Sequence, residues 1–218
     1  MLKIVILISG RGSNMEAILE AQLPIQVAAV ISNRPGAKGL EIASRHGVAT
    51  ATVDHQAFAS REAFDAALGD AVALYAPDQV VLAGFMRILG ASFISRFPNQ
   101  ILNIHPSLLP AFPGLHTHRQ ALEAGVKIHG ATVHVVTPQL DHGPILGQAA
   151  VPVLPGDTED SLAARVLKQE HQLYPSVLQA LSDGRLMIGA DGVVRHSESR
   201  VEPGTAERFL RQPEGRRG

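Results

Sequence analysis

Five short runs of aliphatic and β-branched residues punctuate the first 104 positions, at residues 2–9, 25–31, 48–53, 79–83 and 101–104. The first of them, LKIVILIS, has almost no polar interruption, which suits a strand covered by helices on both faces of a parallel sheet. Helix-like stretches at 39–46 and 58–75 fall between the runs. That alternation predicts parallel βαβ units, the pattern of an α/β fold.

The second half of the chain reads differently. Residues 105–114 (HPSLLPAFPG) carry three prolines and can be neither helix interior nor central strand, so they predict a structured loop. A short helix at 117–124 follows, and then strands at 131–136 and 145–153 whose short connection, 138–144, favours an antiparallel pair. Asp157 or Thr158 can cap a long helix with Leu162, Val166, Leu173 and Val177 on one stripe and a kink expected at Pro175. Residues 185–194 predict a terminal hairpin through Asp191-Gly192. We expect one domain over 1–200, in halves 1–100 and 101–200, with a disordered tail from 201 to 218 where Gly, Pro, Glu and Arg dominate.

Charge and composition exclude several classes of function. With 19 basic and 20 acidic residues, a formal charge of −1 gives no field to attract nucleic acid or an anionic membrane. The absence of cysteine rules out a disulfide scaffold, a thiol nucleophile, a zinc ribbon and an iron–sulfur cluster. No apolar run nears the ~20 residues of a membrane span, and the opening run is too short for a signal-peptide core, so a cytoplasmic location is expected.

Two constellations can carry chemistry. Gly10-Arg11-Gly12-Ser13-Asn14 follows the first strand, where open parallel sheets bind ligands and where free helix amides attract phosphate. Ser13 and Glu16 have the spacing of a capping box. The segment lacks the third glycine of a dinucleotide fingerprint and the Lys-Ser/Thr of a P-loop, so a monophosphate ester fits it better than NAD or a nucleoside triphosphate. Read locally, it is also compatible with a plain glycine turn. The second constellation is Asn103 and His105, two apart on an extended chain and therefore on one face, with Asp141 in the loop Leu140-Asp141-His142-Gly143. An amide donor and an imidazole aimed at one carbonyl oxygen make an oxyanion site, and a carboxylate orients the imidazole.

Other candidates are weaker. His116 and His118 invite a zinc reading, but no HExxH or two-plus-two ligand pattern supports it. His129, His134 and His171 fit hydrogen-bonded structural roles, and His46, His55, His142 and His196 fit loops or surface. No G-x-S-x-G elbow is present. Arg61, Arg87 and Glu170 can hold an anion or ribose hydroxyls, or equally be surface charges.

Taken together, ILISGRGSN, LAGFMRIL, ILNIHPSLLPAFPGLHTHRQAL, HGATVH, LDHGP and QEHQLYP, in this order over roughly residues 1–190, resemble the glycinamide ribonucleotide formyltransferase family, folate-dependent enzymes of purine biosynthesis. The resemblance implies a doubly wound, mostly parallel, Rossmann-like sheet with an antiparallel strand pair in its second half. It assigns Gly12, Ser13 and Asn14 to the phosphate of glycinamide ribonucleotide and Glu170 to its ribose. For the cosubstrate 10-formyltetrahydrofolate it implies Arg61, Met86, Arg87, Ile88, Leu89, Asn103 and the loop Thr137, Pro138, Gln139, Leu140 and Asp141. Asn103, His105 and Asp141 match the catalytic three, and no metal is implied. Partners are then the two small substrates, without nucleic acid or membrane, for a monomer or homodimer. Leu167 stands where some members carry a polar residue, and His142 follows the aspartate where members often have Gly. A methionyl-tRNA formyltransferase would need a further basic domain, a formyltetrahydrofolate hydrolase uses the same three residues on water, and a non-catalytic nucleotide- or folate-binding module would not need all three.

Overall fold

The computed structural model describes residues 1–197. Each early apolar run is a strand: β1 (Leu2–Ile8), β2 (Ile25–Ser32), β3 (Thr50–Thr52), β4 (Gln79–Leu82) and β5 (Ile101–His105). They pair in parallel in the order β3-β2-β1-β4-β5. Two more strands, β6 (Ile128–Val135) and β7 (Ile145–Pro152), complete a seven-stranded sheet through antiparallel pairings. The chain winds outward from β1 to β3 and then returns to place β4 on the other side of β1. The carboxyl ends of β1 and β4 thus flank the point where strand order reverses, the ligand crevice of such sheets.

Alternation along β1 builds the two cores. Ile4, Ile6 and Ile8 face one side and join Met15, Ile18, Leu162, Val166 and Tyr174 in one buried cluster. Val5 and Leu7 face the other side, with Phe64, Leu68, Phe93 and Ile101. Side chains of consecutive strand residues leave on opposite faces, so one unbroken apolar run serves both layers. The helices are α1 (Ser13–Glu20), α2 (Lys38–Arg45), α3 (Arg61–Ala73), α4 (Ala91–Arg96), α5 (Thr117–Glu123) and α6 (Glu159–Ser182).

Several boundaries differ from expectation for physical reasons. The edge strand β3 covers only Thr50–Thr52, because one of its sides has no partner strand. Helix α3 begins at Arg61, where the Ser60 hydroxyl accepts the Ala63 amide, and His55–Ala57 form a separate 3-10 turn. Helix α4 is too short to leave a periodic signal. Strand β6 starts at Ile128, and Gly130 within it lets β7 come close: a Cβ there would lie 2.0 Å from the Ala149 carbonyl oxygen.

Helix α6 locks the layers together. Thr158 and Ser161 cap it reciprocally, with the Ser161 amide donating to Thr158 Oγ1 and the Thr158 amide to Ser161 Oγ. Its stripe of Leu162, Val166, Leu173 and Val177 is buried, and the helix continues through Pro175. The fully buried Tyr174 hydroxyl lies 3.2 Å from the Leu82 carbonyl and 3.0 Å from that of Leu102, bridging α6 to β4 and β5. A terminal hairpin of β8 (Leu186–Ile188) and β9 (Val194–His196) turns through Gly192 at φ +76°. The tail expected to be disordered lies outside the described residues.

Removing the Tyr174 bridge leaves two carbonyls with a lost donor in a packed interior. Tyr174→Phe is expected to lower stability by about 1–2 kcal/mol, a fall in Tm of about 2–8 °C by calorimetry. An unchanged Tm would show that the hydroxyl contributes nothing to holding α6 on the sheet.

Candidate active site

Strand β5 delivers Asn103 and His105 to the carboxyl edge of the sheet, and antiparallel pairing sets Asn103 opposite His134 of β6. Asp141 arrives from the β6–β7 connection with its backbone in the left-handed region, φ +52°. Gly143 makes that course possible, since a Cβ there would meet the Val135 carbonyl oxygen at 1.6 Å. The Asp141 side chain is only 7% exposed. Its Oδ2 accepts the Gly114 amide at 2.8 Å and lies 3.6 Å from His105 Nδ1, while Oδ1 lies 3.8 Å from His134 Nε2.

The neighbours of each imidazole fix which nitrogen does what. His105 Nε2 sits 2.9 Å from the Phe112 carbonyl oxygen, an acceptor only, so Nε2 carries a proton and Nδ1 faces Asp141. His134 Nδ1 donates to the Val135 carbonyl at 3.0 Å. Its Nε2 is then free to accept the Asn103 Nδ2 donor at 3.4 Å. Burial lowers the His134 pKa, against the Val135 bond and the Asp141 charge, and so favours this neutral form. Asn103, His134, Asp141 and His105 form a connected polar cluster, each within 4 Å of the next.

The proline loop is braced against this cluster. The buried Thr132 hydroxyl accepts the Leu109 amide at 3.0 Å and donates to the Ser107 carbonyl at 2.7 Å. Gln148 donates to the Leu109 carbonyl, and Thr117 to that of Pro106. Held this way, the loop presents the Phe112 carbonyl and the Gly114 amide to His105 and Asp141. His118 Nδ1 contacts His129 Nε2 at 3.2 Å beneath it.

At the carboxyl end of β1 the expected capping box does not form. Gly12, not Ser13, precedes the helix, at φ +75° and packed so closely that a Cβ would lie 3.1 Å from Gly39 Cα. Ser13 is therefore the first helical residue, and among the described residues its hydroxyl makes no hydrogen bond. The Glu16 amide closes the first turn on the Gly12 carbonyl, so the amides of Ser13, Asn14 and Met15 lack helical acceptors. Asn14 Nδ2 donates to Glu170 Oε2 at 2.7 Å, and its Oδ1 is buried without a partner. Burial raises the Glu170 pKa, partly offset by the Asn14 bond. Free amides, a free hydroxyl and a buried amide–carboxylate pair suit a phosphate with sugar hydroxyls beside it.

A cavity of about 500 Å³ is lined by Arg61, Asp65, Ile88, Leu89, Gly90 and Pro138, among others. It gathers Arg61, Ile88, Leu89 and Pro138 from the residues expected around a folate. Met86 is 73% exposed, and the Arg87 guanidinium lies over the Phe64 ring at 5.3 Å. Thr137 donates to the Gln139 carbonyl within its own loop, and Leu140 is exposed there. His142 likewise bonds the Leu140 carbonyl and stays exposed. The sequence suggests a hydrogen-bonded structural role for His134 and a loop or surface position for His55, whereas His134 touches both Asn103 and Asp141 and His55 binds the Asn33 carbonyl. Only the strand register, setting His134 across from Asn103, carries that signal. His171 was expected to be hydrogen-bonded, yet its Nε2 is buried with no partner among the described residues. Among those residues, too, no group of three or more His, Asp or Glu is arranged to hold a metal ion, and no helix is long and apolar enough to cross a membrane.

A doubly wound sheet with this polar cluster at its carboxyl edge defines a class, and comparison with known proteins names it. The model of the formyl transferase family matches residues 2–178, and the chain belongs to that family. Phosphoribosylglycinamide formyltransferase of Escherichia coli (strain K12) is 54% identical over 86% of this chain and 90% of its own length. The crystal structure of glycinamide ribonucleotide transformylase 1 from Symbiobacterium toebii, 51% identical, superposes with a TM-score of 0.85 over 91% of this chain and 95% of its own. The human trifunctional purine biosynthetic protein adenosine-3 is 41% identical over 88% of this chain, which spans 19% of that protein. Within the family, the chain groups with the phosphoribosylglycinamide formyltransferases of purine biosynthesis.

Partly and fully buried histidines set a pH dependence. Desolvation holds His118, His129 and His134 below the ordinary imidazole value of 6.5, with His129 at about 4. The unfolded chain then binds protons more readily than the folded one below pH 6.5. Stability from these groups is fully present above that pH and is lost as pH falls toward about 4. Thermal melts across this window should show the loss, reduced in His129→Gln; an identical loss in that variant would assign it elsewhere.

Proposed function

We propose that this protein transfers the formyl group of 10-formyltetrahydrofolate to the primary amine of 5'-phosphoribosylglycinamide, releasing phosphoribosyl-N-formylglycinamide and tetrahydrofolate, in the cytoplasm. The observation that supports it most is the convergence of Asn103, His105 and Asp141 at the sheet edge that also carries the Gly12–Ser13–Asn14 turn. The turn holds the acceptor's phosphate, with Glu170 and Asn14 on the ribose. The donor's folate lies along Arg61 and the segment 86–89, under the loop 137–141.

The amine nitrogen attacks the formyl carbon, and the carbonyl electrons move onto oxygen. Asn103 Nδ2 donates to that developing oxyanion, and protonated His105 stabilises it through Nδ1, the nitrogen that Phe112 leaves free. The 3.6 Å gap to Asp141 is too long for a hydrogen bond and keeps Nδ1 available to the substrate side. Collapse of the intermediate breaks the bond from carbon to the folate N10, while Asp141 takes the amine's proton and passes it to the departing nitrogen. The neutral His134 orients the Asn103 amide so that its donor is in place before charge develops. Holding two substrates together and stabilising one oxyanion are the main sources of rate, the latter worth about 2.7–4 kcal/mol per well-placed donor. The scheme uses neither a metal nor a covalent enzyme intermediate. All its residues come from one chain, so a monomer or a homodimer serves equally.

Loss of formyl from 10-formyltetrahydrofolate should require glycinamide ribonucleotide. Loss without the amine would indicate a hydrolase, and no loss a binding module. Replacing Asn103, His105 or Asp141 singly should lower turnover by roughly 10² to 10⁴ with the fold retained by circular dichroism. Full activity in His105→Ala would refute the assignment.

A further inference from the structure

Residues 83–90 join β4 to α4 without helix or strand of their own, yet they supply Ile88, Leu89 and Gly90 to the wall of the cavity. Backbone of this kind has no ladder to satisfy it and must find its partners elsewhere. Two buried side chains from distant parts of the chain provide them. Ser9, 3% exposed, accepts the Met86 amide at 2.8 Å and donates to Asn33 Oδ1 at 2.6 Å. Asn33 is itself buried and backed by His55, whose Nδ1 donates to the Asn33 carbonyl at 2.8 Å. At the other end, Asp65, 2% exposed, accepts the Gly90 amide at 2.7 Å through Oδ2. Gly90 allows that approach, for a Cβ there would lie 2.6 Å from the same oxygen. Among the described residues, the amides of Arg87 and Ile88 between these two points make no hydrogen bond.

A carboxylate is a costly choice for a merely structural acceptor in a buried position, where a neutral amide oxygen would do. Asp65 also leaves Oδ1 buried without a partner, and its Oδ2 stands 3.9 Å from Arg61 Nε on the same cavity. The group therefore faces the ligand space as well as the backbone it holds.

We propose that Ser9 and Asp65 are positioning residues for the formyl donor. They clamp the two ends of segment 86–90 into a preformed wall, and Asp65 directs the Arg61 guanidinium toward the donor's carboxylate end. This rests on the reading of the cavity as the folate site. Neither side chain touches the reacting atoms; both act through the wall.

Wild-type turnover of 10-formyltetrahydrofolate with glycinamide ribonucleotide tests the underlying reading first, and its failure removes that reading rather than the clamp. Steady-state kinetics of Ser9→Ala and Asp65→Ala then test the clamp. Each is expected to raise the KM for the donor by about 5–15-fold, with kcat and the KM for the ribonucleotide within about twofold. Asp65→Asn, which keeps an oxygen for the Gly90 amide but removes the charge beside Arg61, should recover only part of the loss. Folded variants with unchanged donor KM would overturn the proposal. Amide hydrogen exchange in the wild-type protein needs no variant: protection is expected at Met86 and Gly90 and fast exchange at Arg87 and Ile88. Fast exchange at all four would overturn the clamp.

Discussion

A carboxylate withdrawn from water must be met by donors, and around Asp141 that requirement organises the site. Its oxygens face the Gly114 amide and two imidazoles, each from a different element: the proline loop, β5 and β6. No single element can satisfy the group, so the loop between β6 and β7 comes to rest only when the proline loop and both strands are in place. The left-handed backbone at Asp141 and the tight passage at Gly143 show how closely that loop is held against β6. The geometry of the candidate site and tertiary folding are therefore one event here.

The rest of the molecule supplies a rigid frame for this meeting. Five parallel strands with both faces covered give a core that tolerates little movement, and α6 fastens it from one side through Tyr174 to β4 and β5. The same helix carries Glu170, bonded to Asn14 at the head of α1. One helix thus links the ribose end of the proposed acceptor site to the strand that carries Asn103 and His105. The switch point between β1 and β4 leaves the turn after β1 and the segment after β4 side by side, as the hydrogen bond from Met86 to Ser9 shows.

Much of this was legible in the chain itself. Unbroken apolar runs specified the parallel strands because burial on both faces removes any need for alternation, and the short link after β6 specified the antiparallel extension. Asn103 and His105 stood out through their spacing and the stiff prolines beyond them. What stayed hidden depends on contacts distant in sequence. The pairing of Asn103 with His134 is a matter of strand register, and the roles of Ser9 and Asp65 depend on which backbone amides later fall beside them. The Ser13–Glu16 spacing misled because close packing against Gly39 puts a left-handed glycine, with no side chain to cap, at the helix entrance. Propensity yields there to tertiary contact.

The central claim is that one migrating carbon is held between Asn103 and His105, with Asp141 behind them and the phosphate turn at the other end of the acceptor. A crystal structure with glycinamide ribonucleotide and a non-transferring folate analogue measures this directly. The account predicts the analogue's acyl oxygen within hydrogen-bond distance of Asn103 Nδ2, the ribonucleotide amine facing that carbon, and the phosphate on the amides of Ser13 and Asn14. A folate seated away from Asn103 and His105, or a phosphate bound elsewhere than the α1 amino terminus, would contradict it.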